Sequence, residues 1–424
     1  MVSLRNLTAW TALAMMAVPA AAAAADAFPA PRWVFTTPSH ASLRTLLSAA
    51  VMYRDDVTGA LLAPTRAYVA YSTRDRTSVS AVDRASGATV WTTALDMPGK
   101  ATGGRLIEVD GRVIVGIEHP ETSTLTLVGM SRGDGRISWR LPVANYQQAS
   151  GYHDLFENES PGSVNVYLPA LLGKSRLVVR AADGTIVQTH GYPSYVWPSG
   201  ARRIGSVVLT YSGNPAVGRY DRLIALDASS GARRWELELE KRETVPPVRG
   251  GDVIFLRTGQ RLMRIEADTG KVGWNVILGG LYPLTPPALI DGVVGTTHRV
   301  GADAMTAQAK LTMRSAGDGA ERSSVALPLD PLFPPNDVQP MGRMVWIMSA
   351  QTLLASNVDS GRVASLAVPT LFSTLVYAAS RNARIADTDA HGALITTLNG
   401  QVRYFAREDF DRRAHGAGGG AQKD

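Results

Sequence analysis

The sequence predicts an all-β fold, a β-propeller that is a closed ring of four-stranded antiparallel blades. Two observations predict it. A turn glycine followed four residues later by a tryptophan recurs along the 424-residue chain, and turn glycines in this phase return every 39 to 49 residues. A four-stranded blade takes about 40 to 45 residues. The spacing therefore predicts eight blades, with seven as the alternative.

The repeat unit is clear in four places. In each copy an acid or hydroxyl residue stands four positions before the glycine, and an apolar run typical of a strand precedes it. The acid can accept backbone N–H bonds in the turn, and the glycine can adopt the positive φ of a tight reversal. The four copies contain Asp83, Gly87 and Trp91; Gly135 and Trp139; Asp227, Gly231 and Trp235; and Gly270 and Trp274.

The tryptophans are predicted to dock one blade onto the next. Each lies on the strand that leaves the turn, where its ring can bury roughly 150 to 250 Å² against the neighbouring sheet. The carboxylates of Asp83, Asp227 and Glu266 occupy the same turn position in different copies. Because a catalytic residue is usually singular while a structural one repeats, we assign these acids to turn capping.

Weaker copies fill the gaps between the clear ones. Gly184, Gly319 and Gly361 continue the phase and bring the number of marked units to seven. A hairpin pattern around Asn399–Gly400 predicts an eighth unit that lacks its tryptophan. Trp33, in a short strand-like run, is expected to complete this blade by pairing the N-terminal part of the chain with the C-terminal part.

The ends of the chain are predicted to lie outside the ring. Residues 1–25 read as a signal peptide, with Arg5 before an apolar run and small residues up to a cut after Ala25, or after Ala30 as the alternative. The run is too short to favour a transmembrane helix. The propeller is assigned to residues 31–411, and the glycine-rich residues 412–424 to a disordered tail.

Composition narrows the function classes. The chain is 45% hydrophobic and 19% charged, and it has no cysteine, so neither disulfides nor a cysteine-linked lipid anchor are expected. The formal net charge is +6, but the basic residues are scattered singly. We therefore expect no nucleic-acid binding. A monomer without a transmembrane segment is expected.

At this point the residues carry a family resemblance. The stretches 81–91 and 225–235, which follow the pattern Ala-x-Asp-x-x-Ser-Gly-x-x-x-Trp, resemble the tryptophan-docking repeat of pyrroloquinoline quinone (PQQ)-like β-propellers. The resemblance implies one of two kinds of relative: BamB-type outer-membrane assembly proteins, or quinoprotein alcohol dehydrogenases with PQQ and calcium in a central funnel. The absence of cysteine departs from both, because the former are lipoproteins and the latter typically carry a disulfide over the quinone.

No catalytic, cofactor-binding or metal-binding residue is predicted. The seven histidines show no metal-ligand spacing. Glu157 and Asn158 belong to an acidic group whose oxygens would suit calcium, but the favoured interpretation is an exposed loop between blades. Trp197 lies outside the repeat phase, in an aromatic segment expected to be a loop; core filling is its favoured role, and lining a funnel or a binding face is the alternative. These three residues are weak candidates for interaction.

The predicted function is that of an exported scaffold without enzymatic activity. It would be soluble in the periplasm or outside the cell, where it would bind an envelope protein or a polysaccharide. The alternative is a PQQ-dependent oxidoreductase, and PQQ and calcium are expected only under that alternative. Length favours the scaffold, because the dehydrogenases usually carry long insertions and eight blades use nearly all of this chain.

Overall fold

Eight sheets form the ring, as the repeat spacing predicted, and the seven-bladed alternative is wrong. The structure is a computed structural model. It describes residues 26–37, 57–72, 77–96, 100–119, 122, 124–143, 156–168, 175–191, 197–214, 219–245, 247–278, 285–301, 307–329, 335, 337–349, 352–367, 383–397 and 401–416. Within these residues the chain forms strands β1 to β33 and one helix.

The first four blades follow the chain in order, each with four consecutive antiparallel strands. Blade 1 consists of β3 (Val57–Leu62), β4 (Arg66–Ser72), β5 (Thr77–Asp83) and β6 (Thr89–Ala94). Blade 2 consists of β7 (Lys100–Val109), β8 (Arg112–His119), β9 (Thr124–Ser131) and β10 (Ile137–Val143). Blade 3 consists of β11 (Phe156–Ser160), β12 (Ser163–Leu168), β13 (Ser175–Arg180) and β14 (Ile186–Gly191). Blade 4 consists of β15 (Trp197–Ile204), β16 (Val207–Asn214), β17 (Arg219–Asp227) and β18 (Arg233–Glu243).

The remaining blades continue the order, and two of them also take a strand from the N-terminal segment. Blade 5 consists of β19 (Val248–Gly250), β20 (Val253–Thr258), β21 (Arg261–Glu266) and β22 (Val272–Ile277). Blade 6 consists of β23 (Ala288–Ile290), β24 (Val293–Val300), β25 (Gln308–Ser315) and β26 (Glu321–Ala326). Blade 7 consists of β27 (Asp337–Met341), β28 (Met344–Met348), β29 (Thr352–Asn357) and β30 (Val363–Ala367), with β1 (Asp26–Ala27) outside. Blade 8 consists of β31 (Ala383–Thr388), β32 (Gly392–Thr397), β33 (Gln401–Ala406) and β2 (Trp33–Thr36).

The first strand of each blade lies towards the centre of the ring. First strands of neighbouring blades contact one another, as β3 does with β7 on one side and with β31 on the other. The fourth strand is therefore at the periphery. The turns between strands one and two and between strands three and four share one side of the ring, since Arg84 N donates to Thr65 O at 3.1 Å. We call this side the turn face.

The hydrophobic core is divided among the spaces between blades. One cluster joins Tyr68 and Val79 of blade 1 to Val113 and Val128 of blade 2, all of them fully buried. Because both faces of a blade pack against neighbours, its central strands are apolar almost without interruption. In β8, for example, all six residues 113–118 are buried.

The ring is closed by pairing the two ends of the chain, as expected from Trp33. β2 is antiparallel to β33, with Trp33 opposite Tyr404. β1 then adds to the outer edge of blade 7 as a fifth strand, parallel to β30. The sheets thus include residues from Asp26 onward, five residues before the boundary at 31 that the sequence suggested.

The C-terminal boundary is also corrected. Helix α1 (Arg407–Gly416) follows β33 directly and includes residues 412–416, which the sequence analysis assigned to a disordered tail. Glu408 and Asp409 stand in its first turn, where negative charge is favourable to the helix dipole. Phe410 is buried against blade 7. This anchored side chain explains why a segment of low hydropathy forms a helix here. Residues 417–424 and the predicted signal peptide lie outside the described residues.

Candidate interaction surface

The repeated carboxylates cap the turns between the third and fourth strands. Oδ1 of Asp83 accepts hydrogen bonds from Ser86 N at 2.8 Å and from Ser86 Oγ at 2.7 Å. Oδ1 of Asp227 accepts from Ser230 N at 2.8 Å and from the Ser229 hydroxyl. The hydrogen bonds from Ser86, chiefly the one from its side chain, hold the pKa of Asp83 below its usual value. The hydrogen bonds from Ser229 and Ser230 lower the pKa of Asp227 in the same way. These carboxylates are therefore ionised, and they stabilise the turns by accepting hydrogen bonds from them.

The tryptophan of one blade donates to the turn of the next. Trp139 Nε1 donates to Ala181 O at 2.8 Å, and Trp235 Nε1 donates to Ala267 O at 2.9 Å. In each of these contacts the acceptor is the residue three positions before the turn glycine of the next blade. The same contact is made by Trp91 to Arg132, Trp274 to Ala316 and, at the closure of the ring, Trp33 to Arg84. Five of the eight joints between blades therefore use a tryptophan.

The turn glycine is required for two separate reasons where a tryptophan lies over it. Gly184 has φ +75°, and a Cβ built on it would lie 2.6 Å from Cε3 of Trp139. Gly361 has the same turn position and φ +66°, but a Cβ there would meet nothing within 4 Å. Both glycines have a left-handed backbone, but only Gly184 is also in close contact with an indole ring. Comparing the two positions therefore separates the effect of backbone strain from that of close packing.

We predict that Gly361→Ala costs about 1 to 2 kcal/mol, from the left-handed backbone alone. Gly184→Ala is expected to cost about 1 to 3 kcal/mol more, because the methyl group displaces the indole ring. Equilibrium unfolding in urea measures both. Equal losses for the two variants would contradict a tight contact between Gly184 and Trp139.

An arginine replaces the tryptophan at the joint between blades 3 and 4. Position 188, four residues after Gly184, is a glutamine. The second residue of the blade 4 turn is Ala228, and its carbonyl accepts a 2.6 Å bond from Nη2 of the buried Arg176 on β13. The apolar cluster bridging this joint consists only of Tyr167, Val208 and Ala228 among the described residues. A charged donor thus takes the place of the indole at this joint.

Ionic contacts take part at the joint between blades 6 and 7. Ser323 stands where the tryptophan would be. Arg343, on the first turn of blade 7, pairs with Asp291 of blade 6 at 3.1 Å and also with Asp359 of its own blade. The contact with Asp359 and, to a smaller extent, the contact with Asp291 raise the pKa of Arg343. An apolar cluster that includes Leu311 and Ile347 lies beneath them.

The closure of the ring contains a partly buried ion pair. Both carboxylate oxygens of Asp389 in blade 8 accept from Arg84 in blade 1, at 2.5 and 2.7 Å. Nε of Arg84 donates to the Tyr404 hydroxyl at 2.9 Å, and the Tyr404 ring stacks on Trp33. Burial alone would raise the pKa of Asp389, but the hydrogen bonds from Arg84 hold it below its usual value. Sequence repeats gave no signal of this pair, whose members are 305 residues apart.

A cavity of about 610 Å³ opens beside this ion pair on the turn face. Three arginines line it, and each is already paired with a carboxylate: Arg84 with Asp389, Arg32 with Glu408 and Arg407 with Asp411. The cavity therefore belongs to the closure of the ring. Nearby, burial raises the pKa of Asp387 to about 6, although its carboxylate accepts a hydrogen bond from Leu62 N.

The outer strand of blade 3 is the most open edge with an uncharged sequence. In β14 every residue except His190 is exposed, and Ile186 and Val187 are 41% and 46% exposed. The corresponding strand of blade 6, β26, is similarly open but begins with Glu321 and Arg322. Charged side chains on an edge discourage further strand pairing, whereas an uncharged edge is a template for it.

The three weak candidates lie on strands at the centre of the ring. Glu157 and Asn158 are on β11, opposite Asn165 and Val164 in β12, so their interpretation as an exposed loop was wrong. Trp197 begins β15 and is opposite Tyr211, so the loop predicted for it is also corrected. The polar residues of β11 and β15, such as Glu157 and Arg202, do not show the apolar pattern by which a strand is recognised in the sequence. None of the three residues belongs to β14, the exposed outer strand described above.

The described residues do not fit a metal centre. They contain no group of three or more histidine, aspartate or glutamate side chains that could hold a metal ion. The described part of the chain also has no helix long and apolar enough to cross a membrane.

Solved structures of different kinds share this architecture. BamB from Moraxella catarrhalis superimposes with a TM-score of 0.55 at 12% identity, over 89% of this chain and 100% of its own. Quinohemoprotein alcohol dehydrogenase from Comamonas testosteroni gives 0.53 at 12% identity, over 89% and 76%. The computationally designed Ika8 protein gives 0.53 at 13%, over 84% and 97%. At such identities the likeness shows the fold alone.

The blades, their turns and the tryptophan contacts define a PQQ-like β-propeller. Within this class, the family model described as outer membrane protein assembly factor BamB matches residues 60–191 and 194–331. The matched ranges cover more than half of the sequence, and the chain belongs to this family. No curated protein matches the sequence.

Proposed function

We propose that the protein is an exported scaffold without enzymatic activity that binds another protein of the cell envelope. Membership of a family described as an outer membrane protein assembly factor supports a protein-binding role. Export rests on the leader predicted in residues 1–25. The repeated carboxylates support the non-enzymatic part, because hydrogen bonds within the turns already occupy them.

The observation that carries the binding role is the open edge of β14. Its backbone forms a ladder with β13 on one side, and in this sheet no strand of the described residues lies on its other side. Unpaired N–H and C=O groups on such an edge can pair with an added strand, while exposed Ile186 and Val187 supply apolar contact.

The ring itself contains an example of this kind of pairing. β30, another outer strand without a tryptophan, carries β1 as an added parallel strand. We therefore propose that β14 takes an extended, largely uncharged segment of an envelope protein. A polypeptide fits better than a polysaccharide because it offers the matching row of backbone donors and acceptors.

Site-directed photo-crosslinking in intact cells tests the docking edge. A photoreactive residue at Thr189 on β14 is expected to give one discrete adduct with an envelope protein, and the same residue at Ser323 on β26 should not. Val187→Lys, which places a charge on the edge, should abolish the adduct while leaving the melting temperature unchanged. An adduct that survives this change, or no protein adduct at all, would overturn the proposal.

A PQQ-dependent oxidoreductase is the second candidate, since the fold is shared with a quinohemoprotein alcohol dehydrogenase. Titration of the purified protein with PQQ, with and without calcium, separates the two. Tryptophan fluorescence and calorimetry are expected to show no saturable binding. Saturable one-to-one binding would contradict the scaffold proposal, favour the oxidoreductase and justify a dye-linked alcohol assay.

A further inference from the structure

We infer that the precursor is cut between Ala25 and Asp26 and that residues 26–33, the N-terminal clasp, hold blade 7 to blade 8 afterwards. The inference rests on the proposed export. In the cut, water adds across the Ala25–Asp26 peptide bond, which leaves a carboxylate on Ala25 and an amino group on Asp26. The sequence offers cuts after Ala25 and after Ala30, and the clasp distinguishes them.

The clasp begins with the two residues of β1. Asp26 is opposite Ala364 and Ala27 is opposite Ser365 in the parallel pairing with β30. Ser365 is four residues after the turn glycine Gly361, so it stands where other blades carry the docking tryptophan. β1 therefore covers the blade edge at a joint where the repeat residue is missing.

Phe28 supplies the buried ring of this joint. It is 8% exposed and lies edge-on to Trp346 of blade 7, to Phe405 of blade 8 and to Phe410 of α1. The three ring centroids are 4.9 to 5.3 Å from that of Phe28. One side chain of the N-terminal segment thus joins two blades and the helix.

Arg32 completes the clasp at the turn face. Its backbone N donates to Tyr404 O at 2.8 Å. Its guanidinium pairs with Glu408 and, at 3.1 Å, with Asp409 in the first turn of α1. The segment is therefore held by a strand ladder, a buried ring and two carboxylates within seven residues.

A cut after Ala30 would remove β1 and Phe28 and leave an unfilled space between Trp346, Phe405 and Phe410. A cut after Ala25 keeps every contact of the clasp. The structure therefore selects Ala25.

The first arm of the test determines the mature N-terminus. The full chain is produced in a host with an exporting envelope, and the envelope fraction is analysed by intact mass and N-terminal sequencing. A start at Asp26 is expected. A start at Pro31 overturns the cut site but leaves export intact, whereas an unprocessed chain confined to the cytosol overturns both the export and the inference.

The second arm tests the clasp itself. Leaderless forms starting at Asp26 and at Pro31 are compared by thermal unfolding, together with Phe28→Ala in the longer form. The longer form is expected to melt several degrees above both of the others. Val34→Ala, at a 45% exposed position on β2, is the control and should not change the melting temperature. Equal melting of the two forms overturns the clasp.

Discussion

Trp139→Ala is expected to lower the free energy of unfolding by about 3 to 5 kcal/mol. The indole is 9% exposed, and its Nε1 donates to Ala181 O of the next blade. A Cβ on either Gly129 or Gly184 would collide with the ring, so the indole is sandwiched between two glycines. Because neither glycine has a side chain that could move inward, the space left by the ring stays open.

Equilibrium unfolding in urea, followed by circular dichroism, measures this loss. Trp139→Phe should recover part of it, since phenylalanine fills most of the space but lacks the N–H donor. The matched control is Ser323→Ala at the corresponding position of β26, where little change is expected. A Trp139→Ala variant within about 1 kcal/mol of the parent would show that tryptophan docking contributes little to the ring.

Asp389→Asn is expected to cost about 2 to 3 kcal/mol. The amide oxygen can still accept from His391 N and Gly392 N, so the turn is retained. The variant instead leaves the Arg84 guanidinium, whose side chain is 8% exposed, without its carboxylate. An uncompensated buried charge is costly, although Asp389 is 33% exposed and water can moderate the loss.

Two comparisons check this interpretation. Glu236→Gln removes an exposed carboxylate paired with Arg222 and Arg233 and should cost less than about 1 kcal/mol. Since the pKa of Asp389 is lowered in the fold, its contribution is present above its unfolded pKa and lost at lower pH. The difference between parent and Asp389→Asn should therefore persist down to about pH 4 and shrink below it. A pH-independent difference would contradict a charge-based cause.

The blade count and the closure were predictable because they depend on a local pattern. A glycine and a tryptophan in fixed phase mark one turn and one strand, and the Asn399–Gly400 hairpin pattern marked the blade whose last strand comes from Trp33. β32 and β33 on either side of that hairpin are paired as expected. Such features require only residues that are near one another in the sequence.

The irregular joints could not be predicted in this way. Arg176 lies on a third strand, outside the position that the repeat marks, and nothing in its neighbours indicates that it reaches Ala228. Phe28 meets Phe405 from the other end of the chain. The candidate edge, β14, was missed because openness depends on what neighbouring blades leave uncovered. A glutamine at position 188, where a tryptophan was expected, was the available signal.

The joint between blades 3 and 4 makes the ring mechanically uneven. Other joints combine an apolar cluster with a tryptophan, a bridging arginine or the clasp, while among the side chains that the structure describes this one has Arg176 and a three-residue cluster. Regions with few buried apolar contacts open at lower free energy than the global transition. Amide protons of β14 and of the facing blade should therefore exchange with solvent sooner than those of blade 2. A breathing motion located at this joint would move the already exposed β14 relative to blade 4, so that a partner could bind there without loosening the rest of the ring.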